Sequence, residues 1–119
     1  KGMKWSDGQP FTADDIMFWY EHILLNADLT PSTPTWMQNE DGSVAQVEKL
    51  DDYTVQWTFK QPNTAFLLDL ANKDGADKSI ANLAFVPAHY MKQFHPDFVD
   101  KAELEAKVKE AGFDTWVQL

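Results

Sequence analysis

Between Ala13 and Asn26 the apolar residues Ile16, Met17, Trp19, Tyr20, Ile23 and Leu24, with Ala27 just beyond, recur at helical intervals. That spacing predicts an amphipathic helix. Phe18 and Leu25 widen the stripe, so the helix is expected to pack on more than one side. Its start is marked by Thr12 and, three residues on, Asp15. In this capping-box pattern, side-chain oxygens satisfy amides that the first helical turn leaves unpaired. Asp7-Gly8 just upstream is a turn dipeptide, because Gly accepts positive φ and Asp can bond its own backbone. Residues 4–16 therefore read as a strand end, a tight turn and a helix start, with residues 1–6 as the tail of the strand.

The pattern then changes to period two. Tyr53, Val55, Trp57 and Phe59 alternate with Thr54, Gln56, Thr58 and Lys60, the mark of a half-buried strand. With Val44 to Leu50 before it and Asp51-Asp52 as a two-residue connector, this predicts an antiparallel hairpin. Gln61-Pro62 ends the second strand. Asn63 is expected to cap a short helix from Thr64 to Asn72, with Phe66, Leu67 and Leu70 inward. Residues 73–78 read as a solvated turn and residues 83–86 as a short buried run. Pro87 at a first-turn position opens a helix from Ala88 to Phe94, stopped by His95-Pro96. Asp100 with Glu103 repeats the capping-box pattern and starts the most regular helix, Lys101 to Ala111. Its inner face is Leu104, Val108 and Ala111, Glu103–Lys107 and Glu105–Lys109 are i,i+4 pairs, and Gly112 is its stop. The expected fold is α+β: a small lobe with an antiparallel hairpin packed against several helices.

Between the first helix and the hairpin lies a long polar loop, Leu29 to Gly42. Pro31 and Pro34 stiffen it and disfavour helix. Trp36 stands in this loop, where burial is not guaranteed. It either plugs a gap against the first helix or meets a ligand, since long structured loops in compact domains are often functional.

Composition narrows the function classes. The 119 residues make one domain at most, and 44% apolar content with 13% aromatic supports a packed interior. A net charge of −9 argues against nucleic acid. With no Cys, thiol catalysis, disulfides and thiolate metal sites are excluded. No apolar run approaches the ~20 residues of a membrane-spanning helix. The chain opens without Met and stops within a pattern at Trp116 to Leu119, so it is expected to be a single excised piece, residues 1–119, of a longer protein.

The chemistry-bearing residues form no convincing catalytic set. His89 and His95 are six apart, not the i,i+4 spacing that puts two imidazoles on one helix face, and Pro96 separates them from Asp97. Adjacent Asp14 and Asp15 suit the positive end of a helix dipole but point about 100° apart, which disfavours a shared acid–base pocket. His22 is mid-helix beside Glu21, and residues 39–42 lack most of a calcium loop. Neither a nucleophile elbow nor a phosphate-binding glycine loop is present. No catalytic residue, metal or cofactor is therefore expected. An enzyme using His89 and Asp97 or a metal, and a stand-alone interaction module docking through its apolar loop, stand as alternatives.

Taken whole, the string from Lys4 to Ile16, Lys-Trp-Ser-Asp-Gly-Gln-Pro-Phe-Thr-Ala-Asp-Asp-Ile, resembles the signature of the family-five extracellular solute-binding proteins. These are the oligopeptide, dipeptide and nickel-binding receptors of ABC importers. Residues 47–55 are similar to the family's hairpin, 61–67 to the helix start after it, and 85–90 to the segment leading to its Pro-x-His helix, so the resemblance covers about residues 1–95. From His95 to Leu119 the chain departs from the peptide binders, and the family's return into its main lobe is missing. The resemblance implies a smaller accessory lobe of a three-lobed receptor that closes on its solute without covalent chemistry and delivers it to a permease. It further implies the extracellular side of the cytoplasmic membrane, periplasmic or lipid-anchored. Its partners would be the parent's other lobes, the ABC permease, and a peptide or small solute. Such a lobe would give few ligand contacts, chiefly from the loop after the first helix, here Pro31 to Met37 with Trp36 as the candidate. The excised lobe would not bind ligand alone, and its uncovered apolar surface could drive self-association.

Overall fold

The computed structural model describes residues 2–71 and 80–119. The turn expected at residues 73–78 lies outside them. Two compact units are present, one running to Val86 and one from Pro87 to Leu119.

In the first unit the opening turn is a miniature hairpin. Lys4 and Pro10 form an antiparallel bridge, Trp5 N donates to Gln9 O at 2.8 Å, and Phe11 N donates to Met3 O at 2.9 Å. Gly8 takes φ 89°, where a Cβ would be strained, and the Asp7 carboxylate accepts from Gln9 N at 3.0 Å. Thr12 then caps helix α1, Ala13–Phe18. Its hydroxyl accepts from Asp14 N at 3.3 Å, and buried Asp15 accepts from Thr12 N at 2.9 Å, so the capping box forms as read from sequence.

The helix then departs from the 3.6-residue period that its apolar stripe suggested. Trp19–Leu24 is π-helical, with Leu25 N donating to Tyr20 O at 3.1 Å. The buried pairs Phe18–Trp19 and Ile23–Leu24 repeat at five residues, which a wider turn keeps on one side. Thr30 Oγ1 donates to Ile23 O at 2.7 Å, and Asn26 Oδ1 accepts from Asp28 N at 2.9 Å, so the carbonyl and amide groups at the helix end are partnered.

Strands β1, Gln46–Asp51, and β2, Thr54–Thr58, pair antiparallel with a register irregularity between Lys49 and Asp51. The reversal thus falls one residue later than the expected Asp51-Asp52 connector, and Tyr53 sits in the turn, more than half exposed. Val55 and Trp57 alternate with exposed Thr54, Gln56 and Thr58 as predicted. Helix α2, Phe66–Ala71, starts two residues later than expected. Phe66 turns inward, against Trp57 at 5.7 Å and Phe59 at 5.1 Å between ring centroids. Leu67, expected inward, is exposed, because a helix this short offers one narrow face and Phe66 and Leu70 occupy it. The run at 83–86 is not uniformly buried either. It is extended, so Ala84 and Val86 point in while Leu83 and Phe85 point out.

The second unit begins with helix α3, Ala88–Met91, and a 3-10 turn, Lys92–Phe94. His95 ends them in an extended conformation. Helix α4 runs Lys101–Ala111, with Asp100 accepting from Ala102 N at 2.9 Å and Gly112 as a left-handed cap. Leu104 is buried and Val108 half-buried, but Ala111 is exposed. Glu103 meets Lys107 at 2.9 Å, while Glu105 lies 3.8 Å from Lys101.

What joins the start of the chain to the hairpin is a small polar knot. Ala13 N donates to Asp52 O at 2.9 Å, and Lys49 Nζ reaches both Asp14 and Asp52 at 2.8 Å. The hydrogen bonds to Asp14 and then Asp52 hold the Lys49 ammonium above its ordinary range. A raised folded pKa stabilises throughout the range below the ordinary lysine value, so the knot is fully formed at neutral pH. Thr12→Ala is expected to lower unfolding free energy by about 1 kcal/mol, measured by denaturant titration.

Candidate functional site

The loop between the first helix and the hairpin is ordered by its own backbone. Pro34 leads into a 3-10 turn, Thr35–Met37, which carries Trp36 and fully buried Met37. Gln38 Nε2 donates to Thr33 O at 2.6 Å, closing the proline segment. Gln38 bridges Val44, and Ala45 N donates to Met37 O at 2.8 Å, so the loop folds back on itself before β1.

Trp36 is 7% exposed. Its ring stacks on Trp19 at 5.6 Å with an interplanar angle of 14°, and on Phe66 at 6.1 Å. Its indole N–H donates to Asn82 Oδ1 at 2.9 Å, while Trp19 Nε1 donates to Ala81 O at 3.2 Å. The Trp36 side chain therefore packs against the first helix. Offset aromatic stacks of this kind add about 0.5–1.5 kcal/mol beyond the area they bury.

A second residue of the loop has a structural role that its sequence context did not show. Asn39 is buried and ties three segments together. Its amide donates to Ser43 Oγ at 3.0 Å and Val44 O at 3.3 Å, and its carbonyl accepts from Lys60 N at 2.9 Å. The Asn39-Glu40-Asp41-Gly42 string invited a comparison with calcium loops, but its oxygens serve the turn. Gly42 takes φ 81°, and Asp41 accepts from Ser43 Oγ at 2.6 Å and Lys60 Nζ at 2.6 Å. The legible signal was an Asn and an Asp around a Gly, which is turn chemistry.

Asp14 goes to Lys49 and Asp15 to the helix cap, so the adjacent carboxylates serve different partners. His22 is half-buried and its ring lies 5.4 Å from that of Phe18. In the second unit His89 is exposed on α3. Buried His95 accepts from Asp97 N through Nδ1 at 3.2 Å, with the Asp97 carboxylate 3.7 Å away. Its ring packs edge-on against Phe98 and Trp116, a structural setting for the imidazole.

The fold has a counterpart among solved structures. An "oligopeptide-binding protein OppA" matches over 98% of this chain with a TM-score of 0.73 and 43% identity, the match covering 17% of that protein. The chain belongs to the bacterial extracellular solute-binding proteins, family 5 (middle), which it matches over residues 1–116. Among its relatives, a periplasmic alpha-galactoside-binding protein of Rhizobium meliloti (strain 1021) is 44% identical over 64 residues, 51% of this chain and 9% of that protein. Di/tripeptide-binding protein 3 of Pseudomonas aeruginosa (strain UCBPP-PA14) is 34% identical over 67 residues, 51% of this chain and 13% of that protein. The chain thus spans a small fraction of the length of the relatives it matches.

Asn39→Ala is expected to destabilise the fold by about 1–3 kcal/mol, because the Lys60 amide loses its acceptor where water has little access; urea unfolding measures this. The hydrogen bond from Lys60, then those from Ser43, hold the Asp41 carboxyl well below the usual carboxylate range. A depressed folded pKa stabilises above the ordinary carboxylate value, and that contribution fades as pH falls through the folded one. Asp41 is therefore expected to stay ionised at about pH 3, where an unperturbed Asp with a pKa of about 3.9 is largely protonated. Carboxyl-carbon NMR of the wild type against Lys60→Met reads the difference.

Proposed function

We propose that this chain is an accessory lobe of the substrate-binding receptor of an ABC importer. The receptor captures a peptide or oligosaccharide outside the cytoplasmic membrane and hands it to the permease. The observation that carries the reading is the match to the oligopeptide receptor across nearly the whole chain, at 43% identity. The relatives named periplasmic and di/tripeptide-binding support the location and the solute class. Among the described residues, no helix is long and apolar enough to cross a membrane.

About half of this chain, 51% in each case, matches a protein named for an alpha-galactoside and one named for di- and tripeptides. Sugars and peptides share few recognition groups, so the lobe is proposed to frame the site while selectivity is set elsewhere in the receptor. Its own contribution is proposed to come from the 31–37 loop, with Trp36 as the candidate contact. Capture needs no covalent step, and no catalytic role is assigned to His89 or Asp97.

Isothermal titration of the complete receptor against trialanine and melibiose tests the reading, and micromolar binding of one of them is the expected result. Binding of neither, with the receptor folded, argues against it. In the receptor that binds, Trp36→Ala is expected to weaken affinity about tenfold, the loss of roughly 1.4 kcal/mol. Unchanged affinity with a lowered unfolding midpoint would limit Trp36 to packing. The 119-residue chain alone is expected to show no binding in the same titration.

A further inference from the structure

Stacking alone does not hold the Trp36 ring in one orientation. Two stacked aromatic rings can turn within their planes at little cost, because their attraction fixes plane and offset more than in-plane angle. For Trp36 that angle is set at the ring's edge, where Nε1 donates to Asn82 Oδ1 at 2.9 Å. A hydrogen bond weakens steeply as it bends, so it resists rotation where the stack does not. An indole N–H only donates. The atom of the Asn82 amide that faces it is therefore the oxygen, and the amide's own N–H groups point elsewhere.

Asn82 ends a 3-10 turn, Ile80–Asn82, closed by Leu83 N donating to Ile80 O at 3.0 Å. This turn anchors both rings of the stack on consecutive residues. Trp19 Nε1 takes the Ala81 carbonyl at 3.2 Å, and Trp36 Nε1 takes the Asn82 side chain. The two anchors differ in kind. Any residue at position 81 supplies a backbone carbonyl, whereas at position 82 the acceptor belongs to the side chain, so residue identity matters there. Asn82 is half-buried and lies 46 positions beyond Trp36. The stacks of Trp36 on Trp19 and Phe66 do not involve it. What Asn82 adds is orientation.

We infer that Asn82 is a positioning residue for solute binding: its Oδ1 sets the in-plane orientation of Trp36, and so the part of the indole that the 31–37 loop presents. With its N–H spent on Asn82, Trp36 offers a solute carbon surface and no hydrogen bond. That chemistry suits the aliphatic side chains of a peptide and the C–H face of a sugar alike. The inference rests on the proposal that Trp36 contacts the solute.

The complete receptor is titrated calorimetrically with whichever of trialanine and melibiose it binds. Asn82→Leu removes the acceptor at similar volume and is expected to weaken affinity about fivefold, the worth of one ordinary hydrogen bond. Asn82→Asp keeps an oxygen at the same reach and is expected to bind as the wild type does. In a Trp36→Ala background, Asn82→Leu is expected to cost nothing further, a coupling that a general loss of stability would not produce. Asn82→Ala, which also lacks the acceptor, replaces Asn82→Leu if that variant does not fold. Unchanged affinity of Asn82→Leu, where Trp36→Ala weakens binding, overturns the positioning role and leaves the Trp36 contact standing. An equal loss from Asn82→Leu with and without the Trp36 ring also overturns it, by making Asn82 a contact in its own right. So does an equal loss in Asn82→Asp, which would put the effect on the amide N–H groups. Unchanged affinity of Trp36→Ala overturns the contact and the role of Asn82 together, as does binding of neither solute by the folded receptor.

Discussion

Burial of Trp19 is the constraint on which the first unit depends. The ring is fully covered, so its N–H must find an acceptor inside the protein, and the acceptor is Ala81 O. That bond links the first helix to a segment 62 residues away. One face of the ring is covered by Trp36, and Trp36 in turn meets Phe66, which meets Trp57 and Phe59. Helix, proline loop, short helix and hairpin are therefore in one aromatic chain of contacts. A small lobe with modest apolar volume gains from this arrangement, because a few large rings bury much area at low conformational cost.

The polar groups set the geometry within which those rings meet. The Lys49 ammonium between Asp14 and Asp52 fixes the hairpin turn to the first turn of the helix. Asn39 fixes the loop to the end of β2. Each is a hub with several partners, and each lies where two chain segments would otherwise slide. The capping box of Thr12 and Asp15 directs the helix that carries Trp19. The sequence string by which the family is recognised thus has structural duties at Asp7, Thr12, Asp14 and Asp15.

The α+β class, the capping box, the hairpin and the bounds of α4 were legible because each depends on local chemistry: a cap, a period of two, a glycine stop. What was not legible depends on tertiary contact. The outward turn of Leu67 and the alternation at 83–86 are decided by which neighbour exists, and no local pattern encodes that. The candidate loop was found from its prolines and Trp36, yet the partners of Trp36 lie at residues 19, 66 and 82. Asn39 was seen, but its acceptor role toward Lys60 needs a contact across 21 residues. Lys49 is a single cation on a strand, and nothing near it in sequence announces the reach to Asp14.

The π-helical stretch from Trp19 to Leu24 makes residue count itself a determinant of fit. On an α-helix, at about 100° per residue, two positions five apart are offset by roughly 140°. Ordinary winding at the present length would therefore carry Ile23 and Leu24 out of the interior and turn the Ile23 carbonyl away from Thr30. Loss of one residue inside the stretch shortens the spacing to four, which an α-helix keeps on one face, so deletion and ordinary winding compensate one another. Sequences of this lobe should therefore tolerate one residue fewer here, wound as α-helix, far better than a shortening elsewhere in the helix.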